Sequence, residues 1–310
     1  MKNDIKVALC ISGEMRTYKE CFANLERYLI KELNPDIFIH TWAHRGGWIH
    51  KTINVDRSLD SKNIKALYKP KAMVVEEFSD SFYDKIDNQE MPLVLKILKS
   101  RNYKSTLPLY YKLKKCNDLK SKYEDSNDIK YDIVIRIRPD YMLNEAIPSS
   151  VINSVLKEDL IFYEEPPYYR NIKINDVFAL GNSSVMDEYA NAFNYLNEYW
   201  KNPLNKIGGT HFMLAEIILA EHVSQRNIGT KRFSLNSFIK RDGSYSKNEY
   251  SLLNIKRRQL RRIIQKIKSN IFIQKIIIFK NILCRNWQLK NYEAIVNIDE
   301  IRDLIKNGKI

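Results

Sequence analysis

Between residues 5 and 181, apolar runs of six to eight residues alternate with stretches of helical periodicity, and this order restricts the fold more than any other property of the chain. The runs are "IKVALCI" (5–11), "DIFIHTW" (36–42), "AMVVEEF" (72–78), the strand at 131–138 in "YDIVIRIRPDYML", "DLIFYEE" (159–165) and "DVFALG" (176–181). After the first run, Thr17-x-x-Glu20 fits a capping box, and Phe22, Leu25, Leu29 and Leu33 mark a core-facing stripe that Asn34-Pro35 ends. A polar loop with a short helical stretch near 62–68 separates the second and third runs. Pro108 is read as opening a helix on which Leu109, Leu113, Cys116 and Tyr123 recur at helical spacing. Two more helices are expected, in "SSVMDEYANAFNYLNEYW" (183–200) and "GGTHFMLAEIILAEHVSQRNI" (208–228). Strands alternating with helices across about 230 residues predict an α/β domain with a mostly parallel sheet. Ligands bind outside the carboxyl ends of such strands. Ser12 to Arg16, His40 to Arg45 and Arg138 to Asp140 can therefore face one crevice.

The length of 310 residues and 44% hydrophobic composition allow one large core or two smaller ones, and nine glycines and nine prolines argue against disordered or fibrous classes. Cys10, Cys21, Cys116 and Cys284 show no CxxC spacing, which favours reduced, packed thiols in a cytoplasmic setting over a disulfide framework or zinc site. The amino terminus runs directly into a short strand instead of a secretory apolar segment. The formal charge of +14 is localised: residues 250–292 hold eleven Lys or Arg and no acid, which leaves the remainder at +3.

In "YDIVIRIRPDYML", Ile133, Ile135 and Ile137 occupy one face of the strand and Val134, Arg136 and Arg138 the other. Asp140 keeps the parity of the two arginines if the chain stays extended through Pro139. Arginines in an apolar strand need partners. Two readings stand: a salt-bridged structural knot closed by Asp140 and the glutamates at 164–165, or one wall of an anion-binding site. "ISGEMRTY" (11–18) is a strand, turn and helix start, where backbone amides, the helix dipole and Arg16 can receive a phosphate. It is neither a P-loop nor a GxGxxG fingerprint. "HTWAHRGGW" (40–48) gathers His40, Trp42 and His44 beside a glycine pair, suited to a flat ligand face or to structural packing, and less to a metal. Asp176 at a strand start, and His211 and Glu216 on a helix start, are each able to deprotonate a hydroxyl.

Together, "ALCISGEMRTYKECFANL", "NPDIFIHTW", "YDIVIRIRPDYML", "NDVFALGNSSVMDEY" and "GGTHFMLAE", in this order and spacing, resemble glycosyltransferases of bacterial surface-polysaccharide clusters (capsule, O-antigen and lipopolysaccharide) over about residues 5–230. The resemblance implies a GT-A-like (Rossmann-like) nucleotide-sugar-binding fold over residues 1–250. It also implies transfer of a sugar from a nucleotide-diphosphate donor to a glycan or lipid-linked acceptor. Ser12, Gly13 and Arg16 would hold the nucleotide or its phosphates, with Arg136, Arg138, His40 and Trp42 also lining the donor site. Asp140 stands where GT-A enzymes carry the metal-binding DxD acid. Here only R-P-D is present, a departure that leaves two alternatives open: a divalent cation (Mn²⁺ or Mg²⁺) on Asp140, or arginines that take over part of the cation's role at a departing diphosphate. Asp176, Glu216 and His211 are the candidate bases, in that order.

Residues 251–310 form a basic extension in which 255–287 read as an amphipathic helix, too broken by charge to span a bilayer. Its expected partner is an anionic membrane surface, which would make the protein cytoplasmic and peripheral on the inner face of the membrane. Nucleic acid is not expected, because the body lacks a basic, aromatic-interleaved face. The competing classes are sulfo- or phosphotransfer, with "SGEMRT" as a degenerate phosphate loop, and a non-catalytic membrane-associated scaffold of polysaccharide assembly.

Overall fold

The structure is a computed structural model that describes residues 5–44, 58–78, 101–164, 174–201 and 215–240, all within the unit Met1–Asp242. The basic extension and His211 lie outside the described residues.

Strand β1 (Val7–Ser12) is buried at every position, as expected of a strand covered on both faces. Helix α1 (Tyr18–Leu25) continues through a π turn at Glu26–Ile30 and a last turn at Lys31–Leu33, then stops at Asn34 in the left-handed conformation. β2 (Asp36–Trp42), α2 (Ser61–Tyr68) and β3 (Ala72–Glu76) follow, with Asp60 capping α2 through the Asn63 N–H at 3.1 Å. The long helix α3 (Arg101–Asn127) leads to β4 (Ile133–Ile137), β5 (Tyr141–Leu143), α4 (Ser149–Val155), β6 (Leu160–Glu164) and β7 (Phe178–Gly181). Helix α5 (Ser183–Ala190) passes through a 3-10 segment into α6 (Leu196–Lys201); α7 (Ala215–Gln225), β8 (Gly229–Phe233) and β9 (Ser237–Ile239) end the described chain.

Seven strands form one sheet in the order β3-β2-β1-β4-β7-β6-β8, and β5 pairs separately with β9. Among the described strands of this sheet only β7 runs against its neighbours. The α/β class with a mostly parallel, helix-flanked sheet is thus established. Ala8, Cys10, Phe38, Val134 and Ala179 face a layer containing Leu107, Tyr110, Leu113 and Cys116 of α3, Met186 of α5 and Leu219 of α7. Leu9, Ile11, Ile37, Ile39, Ile135 and Leu180 face the opposite layer, with Tyr18, Ile64 and Val155 from α1, α2 and α4. The expected alternation of "IVIRI" is realised, Ile133, Ile135 and Ile137 packing on one side and Val134 on the other.

Two expectations fail here. Thr17 precedes α1 but forms no side-chain cap, because its hydroxyl donates to the Lys240 carbonyl at 2.8 Å. Pro108 does not open a helix: α3 begins at Arg101 and carries the proline inside.

Candidate functional site

The strand order reverses its chain connection between β1 and β4, the position at which open α/β sheets leave a crevice at the carboxyl edge. Because β7 runs the other way, its leading residues Asn175, Asp176 and Val177 reach this same edge beside the end of β4, where Arg138 N–H donates to the Val177 carbonyl at 3.1 Å.

The turn after β1 is held from the side of β2. Thr41 Oγ1 donates to the Gly13 carbonyl at 2.8 Å, and Gly13 N–H to the His40 carbonyl at 3.4 Å. Gly13 has φ +122°, which a residue with Cβ adopts only under strain, and a Cβ there would be in ordinary contact with Pro139 of the second turn at 3.8 Å. Arg16 has φ +25°, rare for a residue other than glycine. Its side chain is fixed from two sides, by Glu14 at 2.8 Å and by Asp140 at 3.0 Å.

Asp140 is the centre of the arrangement. Its Oδ1 accepts from Arg138 Nε at 2.9 Å, and its Oδ2 from Arg138 Nη2 at 2.7 Å and Arg16 Nη1 at 3.0 Å. Burial alone would raise the Asp140 pKa, but Arg138 and Arg16 together hold it below the usual carboxylate range. Burial likewise opposes the Arg138 charge, and Asp140 more than offsets it. The Asp140 carbonyl accepts from Lys240 N–H at 2.8 Å, so the residue after β9 ties this turn to the start of α1.

Arg136 is 2% exposed, sits opposite Cys10 on the face toward α3, and donates through Nη1 to the Val177 carbonyl. Its Nε has no partner among the described residues. The expectation that a glutamate at 164–165 closes the arginine knot fails for Glu164, which accepts instead from Tyr141 Oη, Asn175 Nδ2 and Ser237 Oγ; Glu165 lies outside the described residues.

Asp176 is buried and close enough for its charge to favour those of Arg136 and Arg138, yet its carboxylate makes no hydrogen bond or ion pair among the described residues. Tyr110 of α3 lies within electrostatic reach of both Asp176 and Glu216 and donates to the Ala215 carbonyl at the start of α7. Ile174 N–H meets the Glu216 carbonyl at 3.0 Å. Asp176 and Glu216 are therefore neighbours in the fold.

His40 and Trp42 end on the other side of Gly13, packed toward α3. Lys112 Nζ stands 3.3 Å from the Trp42 ring centre and donates to the Thr41 carbonyl and Glu76, while Trp42 stacks on Tyr111 at 6.0 Å. Burial and the neighbouring Lys112 charge lower the His40 pKa to about 4. Burial also lowers that of Lys112, to about 8, against the pull of Glu76. Lys112 and Glu76 were missed in the sequence. The signal was present, since Lys112 shares the helical stripe of Leu109, Leu113 and Cys116 and so had to point inward.

The fold thus gathers Ser12, Gly13, Arg16, Arg138 and Asp140 at the carboxyl edge of β1 and β4, with Arg136 one register step below and Asp176 beside them. It directs His40 and Trp42 into the helix layer. Among the described residues no three His, Cys, Asp or Glu side chains gather as a metal-binding group. No protein-family model matches the chain, and no curated protein matches its sequence.

Proposed function

We propose that the protein is a glycosyltransferase that moves a sugar from a nucleotide-diphosphate donor to a glycan or lipid-linked acceptor in bacterial surface-polysaccharide synthesis. The observation that carries this reading is the Arg16–Asp140–Arg138 cluster at the switch point of a mostly parallel sheet, with the Asp176 carboxylate, which has no hydrogen-bond or ion-pair partner among the described residues, beside it. Guanidinium groups fixed before the substrate arrives stabilise charge as it develops on a departing diphosphate, with little reorganisation at the moment of reaction. The Gly13 turn brings backbone close to the same point and suits the nucleotide or its phosphates.

In an inverting transfer, the acceptor oxygen bonds to the anomeric carbon as the bond from that carbon to the diphosphate oxygen breaks. The acceptor proton passes to a base. Asp176 is the first candidate for that base, followed by Glu216 and then His211. The basic stretch at 255–287 would hold the enzyme on anionic lipid at the inner face of the membrane, where lipid-linked acceptors are available. Among the described residues no helix is long and apolar enough to cross a membrane.

The test is a transfer assay over a panel of nucleotide sugars. Arg138→Ala is expected to lower kcat by roughly 10²–10³-fold in protein that remains folded by circular dichroism. Activity retained in Arg138→Ala removes the site assignment, and no turnover or binding of any donor by the wild type removes the reading.

A further inference from the structure

The GT-A resemblance implies a divalent cation bound by an acid just beyond β4, and Asp140 is the acid at that position. The groups around Asp140 do not fit such an ion. Both carboxylate oxygens already accept from guanidinium N–H groups at 2.7–3.0 Å, and the side chain is 1% exposed. A cation at ordinary carboxylate distance, about 2.0–2.6 Å, would meet those N–H groups and two fixed positive charges. Binding it would first require breaking a buried ion pair.

The same contacts orient the arginines. Arg138 spends Nε and Nη2 on Asp140, while its Nη1 has no acceptor among the described residues. Two buried donors, Arg136 Nε and Ser12 Oγ, lack partners among the described residues and lie on one face of the adjacent strands β4 and β1. Buried polar atoms are almost always satisfied, by protein, water or ligand. Three guanidinium groups, Arg16, Arg136 and Arg138, stand against three carboxylates, Glu14, Asp140 and Asp176. The cluster is therefore close to neutral and would hold an anion through directed, charge-assisted hydrogen bonds instead of a large net charge.

We propose, resting on the glycosyltransferase reading, that this site takes the diphosphate of its donor without a divalent cation. Asp140 acts as a positioning residue for Arg16 and Arg138, and the guanidinium groups supply the positive charge that a metal would otherwise bring.

The test is calorimetric titration of the full chain with inorganic diphosphate and with UDP, GDP and their sugars, in EDTA and again with Mn²⁺. Equal affinity for diphosphate in the two media is expected. Diphosphate or nucleotide binding that appears only with Mn²⁺ overturns the proposal and leaves the glycosyltransferase reading intact. Diphosphate binding in EDTA with no binding of any nucleotide or its sugar supports the proposed site and removes that reading. Absence of binding by diphosphate, by the nucleotides and by their sugars in both media overturns both. Asp140→Asn should weaken diphosphate binding roughly 10–100-fold, as loss of an orienting partner does, with no rescue by Mn²⁺. The wild-type titrations decide the question even where that variant misfolds.

Discussion

Asp140 and His40 are both buried titratable groups, and they set opposite demands on their own charge. Asp140 is ionised and shared by two arginines, so Asp140→Ala should cost about 3–5 kcal/mol in urea unfolding at pH 7, the loss typical of breaking a buried pair. Its pKa is held down in the folded state, so the stabilisation is full above the unfolded value of about 4 and is lost as pH falls through the folded value. The gap between wild type and Asp140→Asn should therefore narrow on acidification. His40 is kept neutral: its pKa falls from 6.5 to about 4, mainly through burial. Stability should be full above pH 6.5 and decline by about 3 kcal/mol as pH drops toward 4, where the unfolded chain takes up a proton and the folded one does not. In His40→Leu that slope should flatten, read from unfolding midpoints at pH 7 and pH 4.5. The strand alternation of "RIRPD" made the faces of Arg136 and Arg138 legible. That Arg16, 124 residues distant in sequence, closes on the same carboxylate was not, because local pattern carries no information on which surface side chain a buried acid will meet.

At the scale of elements, the Gly13 turn is defined by backbone conformation more than by space. A Cβ at Gly13 meets Pro139 at an ordinary 3.8 Å, but φ +122° disfavours any L side chain. Gly13→Ala should thus lower stability by about 1–2 kcal/mol and shift the amide resonances of 12–17 more than those of the sheet. The long helix α3 holds a second lesson. Lys120 is buried and donates to Glu124 at 3.0 Å, Ser183 at 2.6 Å and Asp187 at 2.7 Å, which joins α3 to the start of α5. Lys120→Met should destabilise by about 3–5 kcal/mol in urea unfolding, because it takes one buried cation from both Glu124, which keeps Lys130 at 3.0 Å, and Asp187. The strands β1 to β4, β6 and β7 were legible because apolar residues dominate them. The polar β8, with its exposed "GTKR", and the three-residue β5 and β9 gave no such signal. The Thr17 capping box failed because a distant carbonyl, that of Lys240, competed for the hydroxyl.

For the whole molecule, the division of charge separates a nearly balanced body from a strongly basic extension. On the proposed reading, the full chain binds vesicles that contain anionic lipid and is released by salt, since a Debye length of about 8 Å at physiological ionic strength screens surface attraction. A chain truncated after Tyr250 that binds the same vesicles equally well would contradict the anchor. The fold class and the shared carboxyl edge followed from element order alone. The reversed direction of β7 did not, and it is this reversal that brings Asp176 to the end of β4. Hydrogen-deuterium exchange of the full chain with and without a nucleotide-diphosphate sugar tests the central claim most directly. The account predicts slowed exchange at 12–18, 138–141 and 174–177 for at least one donor, and less of it in Arg138→Ala. Protection confined to other segments, or unchanged exchange with every donor tried, would contradict it.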